Sequence, residues 1–300
     1  MTKPVIGPHG HDFTPLATCL QAFGNEEIIF VPNPGNAGDA LIDLGTYQFF
    51  DRIGLRYRLG AVGGTFPGRV VIYAGGGALI DAYPGSDAFF RRNHPVAKAL
   101  VLLPHTVRAY PDLLAAMDAR CILFAREAES HAYLTRHCPR AQVGLCHDLA
   151  FFLSPASIRA ESWSLAHLRQ NGLLGPWLRM AVKFGLVARA RSATLSIFRD
   201  DAEKTAIPLP PGNCDLSVFF NSDDKSRSGC ANTAKVLSQV FRPYRQIDTN
   251  RLHMAILAAL SGKAVRMFDN SYGKNRAIYE HSIRDVFPGV SFLPEQPTAG

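Results

Sequence analysis

Short apolar runs closed by turn residues recur along the first half of the chain. Residues 27–32 read as a strand running into Asn-Pro-Gly-Asn-Ala-Gly-Asp, followed by a helix over about 39–53. A second strand is expected at 69–74, ending in Gly75-Gly76-Gly77, and a third at 99–103, ending in Pro104-His105-Thr106. Residues 121–125 give a fourth, followed by Arg126 and a helix through Leu134, and 141–145 give a fifth before Cys146-His147-Asp148. Strand patterns alternating with helical ones predict a parallel α/β sheet, in which ligands collect beyond the carboxyl ends of the strands. Asn36, Asp39, Gly75 to Gly77, His105 and Arg126 are all expected at such ends.

Residues 152–190 break this rhythm and read as a connector. Runs at 194–199, 216–220, 236–241 and 264–268 then suggest strands of a second, smaller α/β set, 236–241 being equally compatible with a helix. The expected organisation is an N-terminal Rossmann-like domain over 1–152, a connector over 153–192 and a C-terminal Rossmann-like domain over 193–300.

The segment 248–276 carries the most chemistry. Asp248, Thr249 or Asn250 can cap a helix that is apolar almost all round from Leu252 to Leu260 and ends at Gly262. A strand at 264–268 and a polar turn lead to Lys274 at the start of another helix. Arg251 and His253 are the polar intruders in the first helical turn, where unpaired N–H groups and the positive dipole end already favour an anion.

Composition narrows the function classes. At 300 residues the chain can bury two modest cores, and 47% hydrophobic with 19% charged residues is a globular balance. No apolar run is long enough for a spanning helix, and the first residues lack a signal core, so a cytoplasmic protein is expected. The formal charge of +7 suits acidic ligands, and no nucleic-acid-binding signature accompanies it. Six cysteines without Cys-x-x-Cys pairing read as reduced, buried thiols. No metal site is expected: His9, His11 and the pair His147-Asp148 read as a loop and a strand end.

Taken in order, these motifs resemble the polysaccharide pyruvyl transferase family. The first half contributes Gly35-Asn36-Ala37-Gly38-Asp39, Gly75-Gly76-Gly77, Leu103-Pro104-His105, Phe124-Ala125-Arg126 and Asp148. The second contributes Ser196-Ile197-Phe198-Arg199-Asp200-Asp201, Arg251-Leu252-His253 and Asn270-Ser271-Tyr272-Gly273-Lys274. Many family members carry Gln where this chain has His105. The resemblance covers roughly residues 27–280. It implies two Rossmann-like domains facing a cleft, as in GT-B glycosyltransferases. It also implies transfer of pyruvate from phosphoenolpyruvate to a sugar as a ketal, with no further cofactor.

That chemistry needs cationic clamps for a carboxylate and a phosphate, and arginine forks suit both. Arg126 and Arg251 are the candidate clamps, one from each domain. Arg199 is a third, although Asp200 and Asp201 beside it suggest a local ion pair. His253 is the candidate general acid/base, imidazole being the side chain that changes charge near neutral pH. Arg251 and His253, two apart on a helix, are expected to meet different parts of the ligand. Asp39 is placed to orient or deprotonate an acceptor hydroxyl, Lys274 and the turn before it to hold phosphate, and Asn36, Gly76, Gly77 and His105 to line the site.

Plainer readings stand beside these. Arg251 has Asp248 as an alternative partner, and Arg126 has Glu127 or Glu129. His253 has a core role open to it, Asp39 that of a cap, Gly75 to Gly77 that of a tight turn, and His105 a structural one. The stretch 173–189, with Trp177, Phe184 and interspersed Arg and Lys, fits a membrane interface and an interdomain helix equally. The family acts on lipid-linked saccharides, so a saccharide acceptor of that kind and a peripheral position at the cytoplasmic membrane face are expected. A GT-B glycosyltransferase using a nucleotide sugar, or a saccharide-binding protein that kept the fold without activity, are the competing functions.

Overall fold

The computed structural model describes residues 3–158, 194–221 and 223–294, together with four isolated positions between 169 and 178. Its contacts divide into two units: residues 1–34 with 45–152, and residues 35–44 with 153–300. Most of the connector, including nearly all of 173–189, lies outside the described residues.

Unit 1 is built on one seven-stranded sheet. Its strands are β1 (Ile28–Val31), β2 (Arg58–Leu59), β3 (Val70–Tyr73), β4 (Gly76–Leu79), β5 (Ala99–Val107), β6 (Cys121–Ala125) and β7 (Gln142–Leu145). They lie in the order β2-β1-β3-β5-β6-β7, with β4 also on β5, and every pair is parallel. Helices α1 (Thr14–Gln21), α2 (Ala37–Ile53), α3 (Ala88–Asn93), α4 (Pro111–Ala116) and α5 (Ala128–His137) accompany it, α2 beginning in the 35–44 segment. β1, β3 and β5 are buried along their whole length, as expected where both faces of a parallel sheet are covered. Val31, Val71, Leu102 and Leu123 share one core with Phe89 and Leu134. The strand order reverses between β1 and β3. There the Asn33 side chain donates to the Gly75 carbonyl at 3.4 Å and ties the two strand exits together.

Two expectations are corrected here. Gly75 to Gly77 is not a turn: Gly76 begins β4, opposite His105. His105 lies inside β5 and not beyond its end. Pro104 lacks the N–H that a central strand needs, but the register with β6 shifts between Leu102 and His105, and the strand continues past it.

Unit 2 contains α6 (Pro155–Ile158) and a second parallel sheet of β8 (Thr194–Ile197), β9 (Gln246–Thr249), β10 (Ala264–Met267) and β11 (Val290–Phe292), in the order β11-β10-β9-β8. Helices α7 (Leu216–Phe219), α8 (Arg227–Phe241), α9 (Leu252–Leu260) and α10 (Lys274–Ile278) complete it. The runs at 216–220 and 236–241 are therefore helical. Ser226 caps α8 by accepting from the Gly229 N–H at 3.2 Å, and residues 236–241 form its last turns. Short apolar runs do not distinguish buried helix from strand by periodicity alone. β9 and β11 were not anticipated. Asp248 and Thr249 belong to β9, so neither caps α9; its N-cap is Arg251, whose N–H is taken by the Thr249 hydroxyl at 2.9 Å. Among the described residues no helix is long and apolar enough to cross a membrane.

Candidate functional site

The proposed catalytic side chains gather in unit 2, at the turn that opens α2. Asn36 takes the capping position: its Oδ1 accepts from the Gly38 N–H at 2.7 Å, and its carbonyl accepts from the Asp39 N–H at 3.0 Å. Asp39, in the first turn, folds back so that its carboxylate occupies the space a Cβ on Gly35 would need. A Cβ on Gly38 would stand 2.7 Å from Nδ1 of His253 and 3.0 Å from Oδ1 of Asn36. The bare glycine thus lets the imidazole approach the helix backbone, and His253 and Asn36 both border one point. Lys225 donates from Nζ to the Gly35 carbonyl at 2.7 Å and brings a cation to the same turn. His253, Asn36 and Asp39 are all half-buried.

Arg251 is buried at the start of α9, and its fork is occupied. Nε donates to Oδ1 of Asp215 at 2.9 Å, Nη2 pairs with Oδ2 of the same carboxylate, and Nη1 lies 2.8 Å from Oδ2 of Asp201. Asp248, the alternative partner read from sequence, instead binds Arg266, whose Nε donates to it at 2.8 Å. Lys274 is buried as well and pairs with Glu203 at 2.6 Å. Glu203 also accepts from Asn270 at 2.8 Å and binds Arg199 through two bonds of 2.8 Å. Arg199 has a local partner in Asp201, as its neighbours suggest, while Asp200 pairs with Lys204. Beyond the ends of β8, β9 and β10 there is therefore one network in which Arg199, Arg251 and Lys274 are balanced by Asp201, Asp215 and Glu203. Burial opposes charge on Arg199, but the Asp201 and Glu203 carboxylates outweigh it and raise its pKa. Burial likewise works against ionised Asp201, yet the Arg199 bond and the nearby Arg251 charge hold its pKa below the usual carboxylate value.

The remaining candidates lie in unit 1. Arg126 is 1% exposed, with Nη1 at 2.7 Å from Oδ2 of Asp148 and Nε donating to the Thr106 hydroxyl at 2.9 Å. Its sequence neighbours Glu127 and Glu129 pair with Arg108 instead. His105 is fully buried, and its Nε2 accepts from the Ala78 N–H at 3.2 Å, which pins β4 to β5. Gly76 is buried opposite it and Gly77 is half-buried. Such contacts give Arg126 and His105 structural work: a buried arginine–aspartate pair is costly to break, about 3–5 kcal/mol when one partner is removed. Among the described residues no group of three or more His, Cys, Asp or Glu side chains is arranged to hold a metal ion.

No family model matches the chain. It is 25% identical over 298 residues to "Putative pyruvyl transferase EpsO" of Bacillus subtilis (strain 168), an alignment covering 89% of this chain and 88% of that protein. A crystal structure described as that of a functional uncharacterized protein, KP1_0663, from Klebsiella pneumoniae subsp. pneumoniae NTUH-K2044 matches with a TM-score of 0.75. It is 25% identical, and the match covers 93% of this chain and 97% of that one. The similarity in both cases is distant and runs over nearly the whole length. The mixed α/β architecture with parallel sheets is shared with the solved structure.

Sequence reasoning did not single out Lys225, Glu203 or Asp215. Lys225 stands 190 positions from the carbonyl it binds, Glu203 is 71 from Lys274, and Asp215 is 36 from Arg251. Only for Glu203 was there a local signal, its i,i+4 spacing from Arg199.

Proposed function

We propose that the chain is a transferase that moves the pyruvate of phosphoenolpyruvate onto a sugar as a ketal, in the synthesis of an exopolysaccharide or other cell-surface polysaccharide. The observation that carries this reading is the meeting of His253 with the Asn36-Ala37-Gly38-Asp39 turn at the start of α2. The similarity to a protein named for pyruvyl transfer supports it.

The reaction needs one proton delivered to the methylene carbon of the donor. It also needs two carbon–oxygen bonds from sugar hydroxyls to the adjacent carbon, loss of phosphate, and removal of the two hydroxyl protons. In this reading His253 supplies the proton and Asp39 receives one from a hydroxyl. Two helix starts and Lys225 provide positive potential for the departing phosphate. Arg251 is held in place by Asp215, and its remaining nitrogen, Nη1, meets Asp201. Lys274, through Glu203, holds Arg199 in the network of unit 2; Arg126 ties β5 to Asp148 within unit 1, and Gly76 and Gly77 lie on the strand that His105 secures. The acceptor is a saccharide, lipid-linked in this reading. A GT-B-like facing of the two units and a peripheral contact at the cytoplasmic membrane face through 173–189 belong to the same proposal.

The test is incubation with phosphoenolpyruvate and lipid-linked saccharides from the same cell, following phosphate release and the mass shift of a pyruvate ketal on the sugar. No product, together with protection against melting by a nucleotide sugar and none by phosphoenolpyruvate, would replace this reading with glycosyl transfer.

A further inference from the structure

Asp201 is held the way an arginine site holds an acid. Its Oδ1 accepts from Nε of Arg199 at 2.7 Å and its Oδ2 from Nη2 at 3.0 Å, the two-point bond of a guanidinium edge to a carboxylate. Nη1 of Arg251 lies 2.8 Å from that Oδ2, and the Glu203 N–H donates to Oδ1 at 3.1 Å. Four donors from three residues converge on one planar anion.

The two arginines do not need Asp201 to stay where they are. Arg199 keeps its other edge on Glu203, and Arg251 keeps Nε and Nη2 on Asp215. Those anchoring carboxylates are the more buried ones, with 4% of the Glu203 side chain and 15% of the Asp215 side chain exposed, against 33% for Asp201. Asp201 is thus the member of the network nearest to solvent and the one whose departure leaves the rest anchored. Its removal would leave three cations against two carboxylates, a demand for one negative charge. A planar group with two oxygens and a single charge is a carboxylate; a phosphate dianion would overcompensate.

We propose that Arg199 and Arg251 form a seat for the carboxylate of a small acid, which Asp201 fills in the unliganded chain and vacates when the acid binds. This deepens the reading above, and rests on it only in naming phosphoenolpyruvate as the natural acid; pyruvate tests the seat by itself.

The experiment is calorimetric titration of the full chain with pyruvate, phosphoenolpyruvate and inorganic phosphate. A competitor that occupies a seat nine-tenths of the time weakens apparent affinity about tenfold. Asp201→Asn, which presents an amide to the guanidinium groups, is therefore expected to tighten pyruvate and phosphoenolpyruvate by about that factor and to leave phosphate unchanged. Arg199→Lys, which loses the two-point edge, is expected to weaken both acids. Unchanged or weaker pyruvate binding by a folded Asp201→Asn would overturn the proposal, and so would tightening of phosphate alone. If that variant does not fold, the wild type decides: saturating pyruvate should move the NMR signals of the Asp201 side-chain carboxylate, and unmoved signals in the bound state refute displacement. Tightened acid binding without ketal product would sink the reading of the reaction and leave the seat. Ketal formation with unaltered binding by Asp201→Asn would do the reverse.

Discussion

Gly38→Ala separates the packing of His253 from the stability of the fold. The added methyl carbon would stand 2.7 Å from Nδ1 and 3.2 Å from Cβ of His253, about 0.7 Å short of the 3.4 Å at which ordinary contact with Nδ1 begins. Because Cβ is crowded as well as the ring, a rotation of the imidazole alone does not relieve the clash, and the ring has to retreat as a whole. Overpacking of this kind costs about 1–3 kcal/mol, while alanine in place of glycine within a helix returns about 1 kcal/mol. The net loss of stability should be at most about 2 kcal/mol, visible as a small shift in a urea melt. A misplacement of 1 Å can cost about 10²-fold in rate, so a shift somewhat smaller should lower turnover by about 10- to 100-fold. The assay pairs the urea melt with phosphate release from phosphoenolpyruvate, and follows the His253 ring by its NMR shifts. Wild-type turnover with an unmoved imidazole signal would refute the claim that the Gly38 contact sets the position of this ring.

Two other glycines, Gly35 just before α2 and Gly45 within it, should behave differently. Gly35→Ala meets only the carboxylate end of Asp39, which can swing away, so the fold should survive with Asp39 displaced and turnover reduced. Gly45→Ala would press on the backbone carbonyl of Leu149, with the Leu149 carbonyl carbon at 2.8 Å, and should unfold the chain or cost more than about 3 kcal/mol in a thermal melt. Asp148→Ala leaves Arg126 charged and buried without its carboxylate, an expected loss of about 3–5 kcal/mol in chemical denaturation with no change in the melt that the ligand brings. The folded pKa of Asp201 is depressed, so its contribution to stability is present above its unfolded value and lost as pH falls through the lower folded value. Asp201→Asn should therefore flatten the acid limb of a stability–pH curve below about pH 4. Burial pushes the thiols of Cys121, Cys138 and Cys146 up, to about 11, 12 and 12, so all three should resist alkylation at pH 8 until the protein is denatured.

Local pattern went furthest where an element is long, apolar and bounded by turn chemistry. β6 and α9 stand where their apolar runs end, at Cys121–Ala125 and Leu252–Leu260, and α10 starts at Lys274. It failed at 216–220, where four apolar residues around Ser217 suit either period, and at β9, whose Gln246 and Asp248 face polar partners and interrupt the hydrophobic run. It also failed at Pro104, where the shift of register that admits a proline depends on the neighbouring strand.

The same division runs through the candidate site. Which residues carry charge, and that Arg251, His253 and Asp39 stand at helix starts, follows from the chain itself, because caps and first turns are set by a few neighbouring residues. Who neutralises whom does not, because Coulomb and hydrogen-bond partners are chosen by distance in space. Arg126 finds Asp148 and not Glu127; Arg251 finds Asp215 and Asp201 and not Asp248; Lys274 finds Glu203. The sequence alone thus determined the parallel α/β character and the inventory of reactive groups. Only the tertiary structure decided which arginines are anchored, which carboxylate stands in their shared seat, and that a glycine in the first turn of α2 admits the imidazole of His253.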